Sequence, residues 1–413
     1  MKQALSVSNK EIVSLVENGG VLSPKGYKAG AVHAGLRYNR LDIGVLISET
    51  PASCAAVYTT SHFQAAPLKV TQESIANEGK IQAVIVNSAC ANACTGEQGL
   101  KDAYKMRTLT SEKFNVSEDY IAVASTGVIG EYLPMDKIES GINSLEPGKG
   151  GENAEDFQKA ILTTDTVMKS SCYQAEIGGK SVHVGGAAKG SGMIHPNMAT
   201  MLGFLTTDAA ISPEHLSAAL KEVTDITFNQ ITVDGDTSTN DMVIVMANGQ
   251  AGNKPLTPDH SDWPVFVKLL KENCESLAKQ IARDGEGATK LIEVAVKGAV
   301  SNDEARTIAK QIVGSNLVKT AVYGADANWG RIIGAVGQAN ASVNPETVDI
   351  ELGPIVMLKG SNPVAFSEEE AKAYLEKDTI HIMVDLNMGD GSGTAWGCDL
   401  SYDYVKINAS YRT

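Results

Sequence analysis

Short apolar segments with a period of two recur along the chain. In LIEVAVKG, which starts at residue 291, Ile292, Val294 and Val296 share one face, and TVDIEL and TIHIMVDL repeat the alternation. This period predicts strands with one covered face. The segments AVIVN, IAVAS and DMVIVMANG are more continuously apolar, which predicts strands that are buried on both faces.

Helical patterns lie between these segments. FVKLLKENCESLAKQI, residues 266–281, places its apolar residues along one stripe, which predicts an amphipathic helix. Ser301 with Glu304 has the spacing of a capping box. Ser367 with Glu370 forms a second one before SEEEAKAYLEK. Because strands and helices alternate irregularly, we expect an α+β fold, a layered sandwich of sheets flanked by helices.

Two segments rich in Gly, Pro and polar residues, around 144–156 and 249–264, are predicted to be loops or linkers. The run GDGSGTAWG, which starts at Gly389, misses the spacing of a dinucleotide-binding fingerprint and is predicted to be a turn. The segment DGDTSTNDMVIV begins like a calcium loop, but Thr239 and Val245 occupy its sixth and twelfth positions. An EF-hand loop has Gly and Glu at those positions, so the pattern argues against an EF-hand.

The composition narrows the class of protein. The 413 residues carry a net charge of −14, and 43% of them are hydrophobic. The acidic balance argues against a surface that binds nucleic acid. No apolar stretch approaches the ~18 residues of a membrane span, and the N-terminus lacks the apolar core of a secretory signal. We therefore expect a soluble, cytoplasmic protein with a large core.

The six cysteines are scattered, and Cys90 and Cys94 are their only close pair. No second Cys or His pair accompanies them, so the spacing is weak support for zinc, and buried thiols are the favoured interpretation. We expect neither a metal nor a cofactor.

The most unusual segment is KGSGMIHPNMATMLGFLTTDAAI, residues 189–211. Thr200 precedes an apolar, strand-like sequence, and a threonine in that place is ordinarily only a strand former. A small residue before Thr200 and a flexible, glycine-bearing approach suit a second interpretation, in which cleavage of the Ala199–Thr200 bond releases an N-terminal threonine. Its α-amino group, which titrates near ~8, would then serve as the base for its own hydroxyl.

Motifs along nearly the whole chain favour the second interpretation. They are ACANACTG at 89–96, ASTGVIG at 124–130, ILTTDT at 161–166, KGSGM and PNMATML within 189–202, TVDGDTSTND at 232–241, RDGEGATK at 283–290, GADANWGRI at 324–332, GDGSGTAWGCDL at 389–400, and the terminal NASYRT. In these motifs the chain resembles the ornithine acetyltransferases, also called glutamate N-acetyltransferases (the ArgJ family). These are self-cleaving enzymes with an N-terminal-nucleophile-like fold. Cys90 departs from the family pattern, which has Gly there.

The resemblance implies the functional residues. Thr200 would cleave the chain after Ala199 and then accept the acetyl group, so that residues 1–199 become an α chain and residues 200–413 a β chain. Thr126 and Gly127 would form the oxyanion hole. The implied substrate pocket consists of Thr163, Lys189, Thr200, Glu286, Asn408 and Thr413.

The resemblance also implies the reaction. N-acetylornithine would acetylate Thr200, ornithine would leave, and glutamate would take the acetyl group, in a ping-pong cycle of arginine biosynthesis. Acetyl-CoA is a second donor in bifunctional members, and two α and two β chains would form a heterotetramer. From charge alone we expect Lys189 to bind a carboxylate and Glu286 to bind the ornithine ammonium.

Several alternatives remain at this stage. Lys189 and Glu286 could be solvated surface charges, and Thr126 with Gly127 could form only a turn after a strand. His195, five residues before Thr200, is expected to be structural. A self-processed aminopeptidase or amidohydrolase would use the same Thr200 but pass the acyl group to water. A non-catalytic, glycine-rich binding protein would leave the chain uncut.

Overall fold

A computed structural model describes residues 12–195 and 201–410. Within these ranges the strands are β1 Val13–Leu15, β2 Tyr27–Val32, β3 Ile43–Tyr58, β4 Lys80–Cys90, β5 Ile121–Val128, β6 Lys169–Ile177, β7 Lys180–Lys189, β8 Leu202–Thr207, β9 Ile231–Thr232, β10 Met242–Ala247, β11 Leu291–Ala299, β12 Asp349–Leu352, β13 Ile355–Lys359, β14 Asn362–Pro363, β15 Thr379–Asp385 and β16 Gly391–Cys398.

The α-helices of the same ranges are α1 Ala66–Glu78, α2 Gly96–Phe114, α3 Met135–Ser144, α4 Gly151–Ile161, α5 Pro213–Ile226, α6 Trp263–Arg283, α7 Asn302–Gly314, α8 Asn316–Tyr323, α9 Trp329–Gln338, α10 Glu368–Leu375 and α11 Tyr402–Ala409. Two 3-10 helices span Glu118–Tyr120 and Phe228–Gln230.

The strands form two mixed sheets. The first has the order β1-β6-β7-β8-β10-β3-β4-β5, with β2 also paired to β3, and the second has the order β14-β13-β12-β15-β11-β16-β9. Helices α5 and α6 pack with the β7–β8–β10 part of the first sheet, and α7, α8 and α9 pack with the second. Helix α6 contacts strands of both sheets. The α+β class and the layering of sheets and helices that the sequence predicts are confirmed.

The register of the first sheet determines where the loops meet. Lys189 at the end of β7 is opposite Leu202 at the start of β8, and Leu202 is in turn paired with Met242 at the start of β10. At the other side of the sheet, β4 and β5 run parallel, and Ala89 is paired with Gly127 near their ends. The ends of these strands, and the loops that follow them, supply the walls of the cavity described below.

Most of the predicted elements are present at the predicted places, and the serine of each predicted capping box caps its helix. Ser301 Oγ accepts a hydrogen bond from the Glu304 amide at 3.2 Å, and Ser367 Oγ accepts one from the Glu370 amide at 3.2 Å. These bonds satisfy amides that the first helical turn leaves unpaired.

Two sequence predictions are wrong in detail. The expected loop at 144–156 gives way to helix α4 from Gly151, because Phe157 and Ile161 on that helix are fully buried. The predicted turn in GDGSGTAWG is part of strand β16. Its glycines permit close packing by α7 and its N-terminal cap: a Cβ at Gly391 would lie 2.4 Å from the Ser301 carbonyl carbon.

Candidate functional site

A cavity of about 290 Å³ lies at the ends of the strands that meet in the first sheet. Its wall includes most of the residues that the sequence analysis assigns to the site: Thr126, Gly127, Thr163, Lys189, Glu286 and Asn408. Met201 also lines the cavity. Ala199, Thr200 and Thr413, which the same analysis assigns to the site, lie outside the described residues.

Thr126 and Gly127 are the last-but-two and last-but-one residues of β5. Gly127 has a φ of +132°, and a Cβ there would lie 2.0 Å from the Ala89 carbonyl oxygen. Only glycine can therefore occupy this position without moving the neighbouring strand. The local fold thus places a hydroxyl and an amide next to each other in the cavity wall, which is the pair of donors that an oxyanion hole requires.

Lys189 ends strand β7 and is 8% exposed. Its Nζ donates a hydrogen bond to Thr126 Oγ1 at 3.4 Å. Burial lowers the pKa of Lys189, while the nearby carboxylate of Asp165 acts in the opposite direction. An ammonium group in such a cavity suits a substrate carboxylate, because the anion replaces the water that burial removes.

A buried ion cluster lies behind Lys189. Lys169 Nζ contacts Asp165 Oδ1 at 2.7 Å and Asp284 Oδ2 at 2.6 Å. Asp165 Oδ1 also accepts the Gly190 amide at 2.7 Å, and its other oxygen accepts the Thr163 amide at 2.9 Å. Burial raises the pKa of Asp165, but Lys189 and Lys169 outweigh it and hold that pKa well below its usual value. The cluster therefore fixes the backbone at Thr163 and at Gly190, which follows Lys189.

Glu286 and Asn408 come from distant parts of the chain. Asn408, on α11, donates from Nδ2 to Glu286 Oε2 at 2.8 Å. The Glu286 amide donates to the Ser191 carbonyl at 3.0 Å, and a Cβ at Gly192 would lie 2.4 Å from Glu286 Cδ. The Gly192 backbone thus lies directly against the carboxylate, which is 6% exposed and carries a second oxygen that can accept from a cationic ligand.

The chain on both sides of residues 196–200 is bonded to the segment that leads into β10. The Met193 and Ile194 amides donate to the carboxylate of Asp234 at 2.7 and 2.9 Å. On the far side, the Met242 amide donates to the Met201 carbonyl at 2.9 Å. Asp234, which begins the rejected calcium-loop pattern, is therefore an anchor for residues 193–194.

His195 makes a hydrogen bond between its Nδ1 and Thr232 Oγ1 at 3.0 Å. Burial lowers the pKa of His195 to about 4. A neutral, hydrogen-bonded imidazole in this place agrees with the structural role that the sequence analysis expects for it.

Sequence reasoning missed the residues around Asp241 as parts of the site. Ser238, Thr239, Asn240 and Asp241 all line the cavity. Asn240 Nδ2 donates to the Ser125 carbonyl at 2.9 Å, so this loop is tied to the residue before Thr126. Two signals in the sequence pointed to them: the family motif TVDGDTSTND, which ends at Asp241, and the position of this acidic residue directly before a continuously apolar strand.

The part of the chain that the structure describes contains no helix long and apolar enough to cross a membrane. The sequence analysis expects both cysteines of the close pair to be buried. Cys90 is buried, but Cys94 is exposed. Cys94 lies in the bend before α2 and has a φ of +57°.

Comparisons with known proteins agree with the motifs. The sequence model of the ArgJ family matches residues 28–413. The chain is 69% identical over 401 residues to the arginine biosynthesis bifunctional protein ArgJ of Geobacillus kaustophilus, across 97% of this chain and 98% of that protein. It is 62% identical over 409 residues to the protein of the same name from Bacillus subtilis, across 99% and 100%. A crystal structure of the ArgJ protein of Bacillus halodurans, at 66% identity and a TM-score of 0.51, covers 51% of this chain with 100% of its own.

Proposed function

Because the chain belongs to the ArgJ family and is an acetyltransferase of arginine biosynthesis, we propose that it transfers the acetyl group of N-acetylornithine to glutamate through an ester on Thr200. The observation that carries this proposal is the composition of the cavity. Its wall joins candidate oxyanion donors, a buried cation and a buried carboxylate within one space. This is the set of groups that an acyl transfer between two amino acids needs.

Self-cleavage between Ala199 and Thr200 is the first part of the proposal. It would divide the chain into residues 1–199 and 200–413, with Thr200 at a new N-terminus. The free α-amino group would then take the proton of the Thr200 hydroxyl. Two observations support the division: Met201 lines the cavity, and the solved ArgJ chain from Bacillus halodurans matches along its whole length while covering only 51% of this one. A chain of that length is expected of one of two processed fragments.

The two half-reactions use the same cavity. Thr200 Oγ attacks the acetyl carbonyl of N-acetylornithine, and the negative charge that develops on the carbonyl oxygen is stabilised by the Thr126 hydroxyl and the Gly127 amide. Ornithine leaves, and the acetyl ester keeps the energy of the transferable group. Glutamate then attacks the ester with its amino group and yields N-acetylglutamate.

The substrate contacts follow from charge. Lys189 would bind the α-carboxylate that N-acetylornithine and glutamate share, and Asp165 helps to keep Lys189 protonated. Glu286 would accept the side-chain ammonium of ornithine, with Asn408 holding its other oxygen. Thr163 and Thr413 complete the proposed pocket.

Three further parts of the proposal rest on the family resemblance. They are the use of acetyl-CoA as a second donor, the assembly of two α and two β chains, and a location in the cytoplasm. The word "bifunctional" in the names of the relatives agrees with a second activity.

Mass spectrometry of the purified protein tests the proposal. We expect two fragments that meet at the 199/200 boundary. N-acetylornithine should add one acetyl group to Thr200, and glutamate should remove it. Thr200→Ala should yield an uncut, inactive chain, whereas Thr200→Ser should cleave to some extent because its hydroxyl can make the same N-to-O shift. Normal fragments from Thr200→Ala, or acetylation at another residue, would contradict the assigned nucleophile.

A further inference from the structure

Asp241 is a buried carboxyl group that the proposed cycle does not yet use. It immediately precedes β10, lines the cavity and is 3% exposed. Ser238 hydrogen-bonds to its carboxyl group. Its Oδ2, however, has no hydrogen-bond partner within residues 12–195 and 201–410. A buried oxygen without a partner costs free energy, so it calls for an explanation.

The backbone holds Asp241 firmly. The Asp241 carbonyl accepts the Thr59 amide at 3.0 Å, and the next amide, that of Met242, donates to Met201 at 2.9 Å. The preceding residue, Asn240, donates to the Ser125 carbonyl. Asp241 is therefore fixed between the strand end that carries Thr126 and the residue that follows Thr200 in the chain.

A comparison with Asp42 argues against a purely structural role. Asp42 is also fully buried, but both of its carboxylate oxygens accept backbone amides: Oδ1 accepts that of Ala34, and Oδ2 accepts those of Leu36 and Arg37. Asp42 is thus a structural carboxylate that is bonded at both oxygens. Asp241 differs from Asp42, because it lines the cavity and its Oδ2 has no hydrogen-bond partner among the described residues.

We propose that Asp241 is the catalytic proton donor to the departing amine of ornithine and the proton acceptor from the attacking amine of glutamate. This role deepens the proposed function and rests on it. In the first half-reaction the C–N bond of the acetyl group breaks, the Asp241 carboxyl gives its proton to that nitrogen, and the Thr200 hydroxyl proton passes to the α-amino group. Ornithine then takes one further proton from solvent.

The second half-reaction restores each group. The Asp241 carboxylate takes a proton from the glutamate ammonium, and the resulting amine forms the new C–N bond. The ester C–Oγ bond breaks, the α-ammonium of Thr200 returns its proton to Oγ, and the nitrogen releases its remaining extra proton to solvent. The proton taken from solvent in the first half-reaction is thereby balanced.

The electrostatics of the cavity agree with this order of events. Burial raises the pKa of Asp241 well above its usual value, and Lys189, the charged side chain that acts on it from β7, only partly opposes this. The raised pKa of Asp241 favours the protonated form of its carboxyl group, which is the form that a proton donor needs. After Asp241 has given up its proton, it is a carboxylate. It can then both attract the ammonium of the incoming glutamate and accept a proton from it.

The test compares two acetyl donors in Asp241→Asn, a variant that keeps the shape of the side chain. A departing amine needs a proton, but 4-nitrophenolate leaves as an anion and does not. We expect acetylation of Thr200 by saturating N-acetylornithine to slow by at least ~100-fold, the usual scale of general acid catalysis. Acetylation by 4-nitrophenyl acetate should stay within about threefold. Equal losses with both donors, or no loss with N-acetylornithine, would overturn the proposal.

Asp208→Asn is the matched control, since Asp208 is a buried carboxyl that accepts the His183 amide and does not line the cavity. Asp208→Asn should leave the ratio of the acetylation rates with the two donors unchanged. If Asp241→Asn does not cleave, the pH dependence of acetylation is measured on the wild-type enzyme instead. At saturating donor, acetylation by N-acetylornithine should fall at alkaline pH where acetylation by 4-nitrophenyl acetate does not, and identical profiles would overturn the role. Absence of any acetyl-Thr200 in the wild type would instead contradict the proposed function itself.

Discussion

Lys189 Nζ and Thr126 Oγ1 are 3.4 Å apart in the cavity wall, and the ammonium donates to the hydroxyl. Since the Thr126 oxygen accepts this bond, its hydrogen is free to point to a different acceptor. The contact joins residues 63 positions apart in the chain. It links the group proposed to bind the substrate carboxylate with the group proposed to stabilise the oxyanion. Both KM and kcat should therefore be measured for a substitution at either residue.

Thr126→Val keeps the shape of the side chain and removes the hydroxyl. We expect kcat for acetyl transfer to fall about 100-fold or more, the usual cost of losing one oxyanion donor, while KM changes little. Thr126→Ser, which keeps the hydroxyl, should recover most of the rate. A Thr126→Val enzyme that turned over within a factor of two of the wild type would show that the hydroxyl has no such role.

Lys189→Met should weaken both half-reactions, because the carboxylate it is proposed to bind is common to the two substrates. A charge-assisted hydrogen bond contributes roughly 1.5–3 kcal/mol, so kcat/KM should fall at least tenfold for N-acetylornithine and for glutamate. In the wild type, burial lowers the pKa of Lys189. KM for both substrates should therefore begin to rise at a lower pH than an exposed lysine would cause. A loss confined to one substrate would contradict the shared-carboxylate role.

Glu286→Gln tests the proposed ammonium site. The variant keeps the acceptor for Asn408 but loses the charge, so we expect kcat/KM to fall at least tenfold for N-acetylornithine and much less for glutamate. The two constants must be measured separately, on enzyme shown by mass to be fully cleaved. Equal losses for both substrates would refute the ammonium role and leave Glu286 as a wall residue.

Local patterns in the sequence predict much of the fold but little of the site. The serine N-caps of α7 and α10 and the buried strand β10 depend on neighbouring residues, and they form where the pattern predicts them. Strand β16 was missed because its glycines are explained only by the helix that packs on them.

The site shows the same division between local and distant causes. Family motifs led to Thr126, Gly127 and Lys189, but spacing alone did not. Lys169, Asp165 and Asp284 form one cluster from positions up to 119 residues apart (284 minus 165), and no window of sequence contains them all. Asp241 was missed for the same reason, since its burial depends on strands that the sequence does not place side by side.

Asp165→Asn should destabilise the protein, because it leaves Lys169 and its charge in a buried place with one carboxylate fewer. Breaking a buried pair typically costs about 3–5 kcal/mol, which thermal unfolding of the uncut Thr200→Ala chain would measure. The pH dependence of this stabilisation follows from the lowered pKa of Asp165. The stabilisation is fully present above the unfolded value of ~3.9 and is lost as pH falls toward the folded value. The gap between the parent and the variant should therefore narrow in acid; a gap that widened would contradict the ion cluster.

Gly127→Ala tests whether the backbone of the oxyanion site can accept any side chain. A Cβ at Gly127 would lie 2.0 Å from the Ala89 carbonyl oxygen, and β4 is fixed by its pairing with β3 and β5. Either the chain fails to fold, or the 127 amide rotates away from the cavity and turnover falls about 100-fold. Gly130→Ala is the matched control: its φ is +85°, so it shares the strained conformation, but no atom lies within 4 Å of the added methyl group. Gly130→Ala should cost only about 1 kcal/mol of stability and leave acetyl transfer intact. If the two variants behaved alike, left-handed strain and not the position of the Gly127 amide would explain why glycine is needed there.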